Sequence, residues 1–184
     1  MLAEQKSPRY TELTQRSNRE LEEIFRKGIM PAAESLVDHE WRGFNTPAFA
    51  RLLGIQKFIK GFFRVSANDP VEGYNIPVKQ NGLDSPWQHK PSADAPKRFG
   101  FYHVYPVRPE DRENHYPEAL LLNYGISPRN PAYRVERLLR DYLIQPDPDN
   151  PDILLGKAYL AVGGLRIPSN FFVLERLRRV TWSQ

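Results

Sequence analysis

ILLGKAYLAVGGLRIPSNFFVLERLR occupies residues 153–178. Ile153–Val162 is dense in branched and aromatic side chains, Gly163-Gly164 supplies the backbone freedom of a tight turn, and the chain returns from Asn170 to Arg178. On the return, Phe171, Val173 and Leu177 alternate with Phe172, Leu174 and Arg176. Successive strand residues point to opposite faces, so this hairpin is apolar on both. A sheet with one wet face would show one polar side, and both faces of these strands must therefore be covered.

The same texture recurs upstream. Lys57–Val65 sets Ile59, Gly61, Phe63 and Val65 against Phe58, Lys60, Phe62 and Arg64, with Gly61 marking a bulge or a close backbone approach. Arg98–Val107 aligns Phe99, Phe101, His103, Tyr105 and Val107 on one side. Strands are also predicted at Trp41–Phe44, Tyr74–Lys79, Glu118–Tyr124 and Leu138–Gln145, whereas Val135, Leu138 and Leu139 leave Arg134–Arg140 open to either strand or helix. About seven or eight strands in succession imply an antiparallel meander closed into a barrel, a mainly β fold.

A helix precedes them. Ser17-Asn18-Arg19-Glu20 has the form of a capping box, Leu21, Ile24 and Phe25 follow at helical spacing, and Gly28 offers the stop, so Ser17–Lys27 reads as an N-terminal amphipathic helix. Residues 1–16 have little apolar content and are expected to be loosely ordered, leaving 17–184 as a single barrel domain with its leading helix. A short helix is expected over Pro47–Leu53, ending at Gly54.

Composition narrows the chemistry. The chain has 184 residues, 17 prolines and no cysteine. That proline content argues against long helices, and the absence of cysteine excludes disulfides, thiolate nucleophiles and Cys-containing metal sites. The formal charge of +4 is spread among interleaved acids and bases with no basic block, so no nucleic-acid partner is expected. The N-terminal residues lack a signal-like apolar run and no stretch is long enough to span a bilayer, which gives a cytoplasmic reading.

Catalytic and metal patterns are missing. The spacings of His39, His89, His103 and His115 fit no metal-binding motif, there is no Gly-x-Ser-x-Gly elbow, and Gly163-Gly164 leads into a strand rather than a phosphate-binding helix. Glu110, Asp111, Glu113 and Glu118, like Asp147, Asp149 and Asp152, sit among prolines and asparagines as turn residues. Neither catalytic residues, nor a cofactor, nor a metal site is assigned. The aromatics are the richest signal: Phe63, Phe101, His103, Tyr105, Tyr124, Tyr142 and Tyr159 are the candidate lining for a small, mainly hydrophobic ligand. The proline-rich segment Asn68–Pro96 is the expected lid. Alternative functions are an isomerase or hydrolase that uses His103 in the same cavity, or a basic interaction or nucleic-acid-binding module that uses the late arginines. The oligomeric state is not set by any of these features.

Trp41-Arg42-Gly43 at the first strand, together with Phe171-Phe172-Val173-Leu174-Glu175-Arg176-Leu177 at the last, resembles a lipocalin-like (calycin) barrel. It is close to the uncharacterised bacterial family named for a Gly-x-Trp-x-Gly motif, with His39 in place of the first glycine. The resemblance implies a structural closure by Trp41, Gly43 and Arg176, in which Arg176 or Arg178 lies over the indole. It also implies a ligand held at the opposite mouth.

Overall fold

The computed structural model describes residues 5–46 and 54–182. Eight antiparallel strands pair in chain order and the last returns to the first: β1 (His39–Asn45), β2 (Lys57–Phe63), β3 (Val71–Pro77), β4 (Phe99–Pro106), β5 (Leu120–Asn123), β6 (Leu139–Ile144), β7 (Ile153–Val162) and β8 (Leu165–Arg179). Closure removes the unpaired edges that an open sheet of this length would expose.

Register assigns the two faces. Trp41 stands opposite Lys60, Lys60 opposite Asn75, Leu122 opposite Asp141, and Asp141 opposite Ala158. Lys60 Nζ lies 3.0 Å from Asp141 Oδ2 although β2 and β6 are separated by three strands, so this face is the interior. Aromatic rings fill much of it. Gly43, Gly73 and Gly156 stand opposite Phe58, Tyr102 and Phe172, and a Cβ on any of the three would overlap the facing ring. The three rings lie across the neighbouring strand because it has no side chain there.

The outer face is covered in two patches. Two helices, α1 (Pro8–Gln15) and α2 (Asn18–Lys27), set Tyr10, Leu13, Leu21 and Phe25 against Tyr142, Tyr159, Phe171 and Val173. Elsewhere Ile59, Phe63, Tyr74 and Ile76 are covered by Val78, Trp87 and Trp182, whose indole stacks on Phe63 at 3.7 Å between ring centres. This double covering is what the two-faced apolar strands require.

Several expectations are corrected. Residues 8–15 are helical rather than loose: Ser7 caps the helix, and Tyr10, Leu13 and Thr14 fall on its buried face, so few apolar residues suffice where they share one stripe. β3 begins at Val71 and β8 at Leu165, both earlier than predicted. The ambiguous Arg134–Arg140 stretch is a 3-10 turn, Val135–Leu138, running straight into β6. Gly61 is a close approach, its missing Cβ replaced by the Tyr74 ring. The helix expected at Pro47–Leu53 lies outside the described residues.

Candidate functional site

The two ends of the barrel differ in chemistry. At the end where β1 starts, Leu36, Trp41, Phe62, Val71 and Leu174 form a fully apolar plug. The Arg176 guanidinium sits 4.7 Å from the Trp41 ring and is held there by Asp152, Nε to Oδ1 2.6 Å. A cation over an indole face is attracted by the ring quadrupole. Gly43 is on the same strand, where it admits the Phe58 ring.

Toward the other end, where β7 turns into β8, the interior becomes polar. Lys60 Nζ donates to Asp141 Oδ2 at 3.0 Å, to Tyr124 OH at 2.5 Å and to Asn75 Oδ1 at 3.1 Å. Tyr124 OH donates in turn to Asp141 Oδ2 at 2.9 Å, and Asn75 Nδ2 donates to the Gly100 carbonyl at 3.0 Å. Rings of Phe58, Tyr102, Tyr124 and Phe172 surround the ammonium. Burial lowers the Lys60 pKa and Asp141 opposes that drop, while burial raises Tyr124 and Tyr102 well above the ordinary phenol value. The layer therefore keeps the phenols protonated beside a buried ion pair, a polar floor within an apolar tube.

Above this floor lies the rim. A Cβ at Gly100 would lie 3.0 Å from Asn75 Nδ2, 3.5 Å from Glu136 Cγ and 3.6 Å from the Tyr124 ring, so the turn carrying Glu136 hangs beside the polar layer. Glu136 Oε1 accepts from Arg134 at 2.6 Å, whereas its Oε2 is buried and has no hydrogen-bond partner. Leu139 pairs with Leu160, Leu160 with Ile167 and Val162 with Leu165, all on the inward face. Unlike inward residues deeper in the barrel, Val162, Leu165 and Ile167 are 47%, 66% and 45% exposed.

Of the seven expected lining residues, Tyr124 alone is interior. Phe101, His103 and Tyr105 belong to the outward face of β4, as Phe63 does on β2. Tyr142 and Tyr159 face outward beneath the helices, where Tyr159 OH lies 3.1 Å from Tyr116 OH. His103 Nε2 is 3.9 Å from Glu72 on the outside, too far to hydrogen-bond, so the interior acid–base role read for it has no geometric basis. The alternation is correct but its sign is reversed: with apolar residues on both faces, nothing local marks which is inner.

The proline-rich segment is also displaced from its expected place. Trp87 Nε1 donates to the Gly43 carbonyl at 3.1 Å, and outward-facing Lys57 donates to Asn81 Oδ1, Gly82 O, Ser85 O and Pro86 O at 2.7–3.1 Å. His89 lies between Glu40 and Arg178. Residues 78–89 thus pack along the wall rather than across the rim. A shallow depression of about 300 Å³ lies outside the barrel between α2 and the β7–β8 hairpin, its Lys157 paired with Glu22 at 2.5 Å.

Sequence reasoning missed Lys60, Asn75 and Asp141 as a set. The available signal was a charged residue set among apolar neighbours in each of two strands, Lys60 between Ile59 and Gly61-Phe62 and Asp141 ahead of Tyr142-Leu143-Ile144. Among the described residues no group of His, Asp and Glu side chains is arranged to hold a metal ion. Comparison with protein-family models, curated proteins and solved structures finds no match.

Proposed function

We propose that this chain is a cytoplasmic, lipocalin-like protein that holds a small, mainly hydrophobic molecule with one polar end at the rim of the barrel, without altering it chemically. The observation that carries this reading is the contrast along the interior. Among the described residues, inward apolar side chains are exposed only above the polar floor, and beside that floor Glu136 Oε2 is a buried acceptor with no donor. A ligand hydroxyl or amine would supply the donor, and its apolar body would cover Leu160 and Ile167, relieving two costs of the free state. The Lys60 donors are already used, so the floor orients the ligand without needing to rearrange.

The test is a ligand panel of fatty alcohols, fatty acids, polyaromatic amines and haem, read by native mass spectrometry and melting temperature. A stoichiometric adduct with a raised melting temperature is expected from an apolar amine or alcohol, weakened at least tenfold in Glu136→Gln or Ile167→Asp. A panel without adducts, or with adducts indifferent to both substitutions, removes the reading.

A further inference from the structure

Ten large apolar residues are exposed among the described residues, and they are not scattered. Ile29 and Val65 lie at the plugged end, beside the start of β1 and the end of β2. The other eight belong to strand connections that open at the rim end: Ile55 before β2, three on the β7–β8 hairpin, and four on the β5–β6 connection, whose Arg129 and Asn130 run down the outer wall to Glu72 and Phe101. The most exposed are Tyr133 at 82%, Val135 at 74% and Leu165 at 66%. Leu139 pairs with Leu160 and Val162 with Leu165, which puts the turn 135–138 next to the hairpin tip. A concentration of this kind marks an interaction surface, whereas single exposed apolar residues need no explanation.

The charges interleaved with it identify the partner. Arg134 pairs with Glu136, and Arg140 and Arg166 both engage the single carboxylate of Glu113. The bonds of Arg137 go to the carbonyl oxygens of Gly125, Ser127 and Asn130, which neutralise no charge. Four guanidiniums thus face two carboxylates, 4 − 2 leaving a surplus of two positive charges around the apolar tips. Seven of these eight come from two neighbouring connections, β5–β6 and β7–β8, so they present a raised patch rather than a groove. Apolar tips carrying a net positive charge match a flat surface that is apolar within and anionic at its face.

We infer that the rim end of the barrel docks onto an anionic lipid surface, with Tyr133, Val135 and Leu165 entering the interfacial layer and the exposed Arg134 guanidinium, backed by the positive surplus behind it, meeting lipid phosphates. The docking proposed is peripheral, through the rim alone. It does not depend on what the barrel holds.

Co-sedimentation of the full chain with vesicles of phosphatidylcholine alone, or of phosphatidylcholine mixed with phosphatidylserine, tests the inference. Binding to the mixed vesicles is expected to exceed binding to the neutral ones by more than tenfold and to weaken as salt is raised. Arg134→Gln is expected to reduce binding to the mixed vesicles about fivefold. The triple variant Tyr133→Ser, Val135→Ser, Leu165→Ser changes only exposed side chains, so its melting temperature should stay near that of the parent while vesicle binding falls roughly a hundredfold. Three results would overturn the inference: no sedimentation with either vesicle, equal binding by the parent and the triple variant, or a concentration-dependent dimer that the same three substitutions abolish.

Discussion

Replacing Asp141 by Asn leaves the Lys60 ammonium in the barrel without its opposite charge. Both side chains are nearly inaccessible, at 3% and 5% exposure, so water cannot take over the role of the carboxylate. The variant therefore either keeps a buried unpaired cation, a loss of about 3–5 kcal/mol, or releases the proton. Release sets an upper bound. With an ordinary lysine value of 10.5, deprotonation on folding costs about 1.36 kcal/mol per pH unit below it, about 5 kcal/mol at pH 7 and about 2 kcal/mol at pH 9. A folded-state lysine pKa lowered below the unfolded value means fewer protons bound on folding, so stability rises with pH through the window between the two. Asp141→Asn widens that window downward, and its deficit should shrink steadily from pH 7 to pH 9. The double variant Lys60→Met, Asp141→Leu removes both charges and should recover more than half of the loss. Urea unfolding followed by tryptophan fluorescence gives each value. A single-variant cost under about 1 kcal/mol at pH 7, far below the range for a broken buried pair, or a deficit unchanged at pH 9, would refute the account of Lys60 as a buried cation held by Asp141.

Two further outcomes follow from the wall of the barrel. Burial and nearby Lys6 push the Lys57 pKa down to about 8, so the parent should gain stability from pH 8 toward pH 10 relative to Lys57→Met, as seen in paired melting curves. Gly156→Ala drives a Cβ into the Phe172 ring and should cost about 1–3 kcal/mol or more in chemical denaturation, with Phe172→Leu in the same chain restoring part of it.

Strand existence was legible because β-branched and aromatic runs are bounded by proline and glycine: β7 begins and ends where predicted, and β2 differs only by a frayed end. Closure was legible from the apolar character of both faces. The direction of each face was not, since period-two alternation is unchanged when inside and outside are exchanged, and so His103 was read inward. Nor was the polar floor legible. Lys60 and Asp141 are 81 residues apart, and nothing in either neighbourhood announces the other. α1 was missed for a third reason: its stabilisation comes from packing three residues onto β8 and its neighbours rather than from composition.

Arg42 on β1 and Glu175 on β8 are paired at 2.5 Å across the seam where the first strand meets the last, 133 residues apart. The segment ahead of α1 is fastened to the same pair, Ser7 N–H donating to Glu175 and Arg42 donating to the Gln5 carbonyl. The seam thus joins the first strand of the barrel to the last, and in time it must come last. During synthesis β1 can pair with β2 but not with β8, so its second edge and the buried face of α1 wait for almost the whole chain to emerge. Long-range closure of this kind makes folding slow and exposes a strand edge while it waits. Moving the chain ends to Gly163-Gly164 would make this seam local but turn the ten-pair β7–β8 hairpin into the long-range closure, so the permutant should fold no faster than the parent.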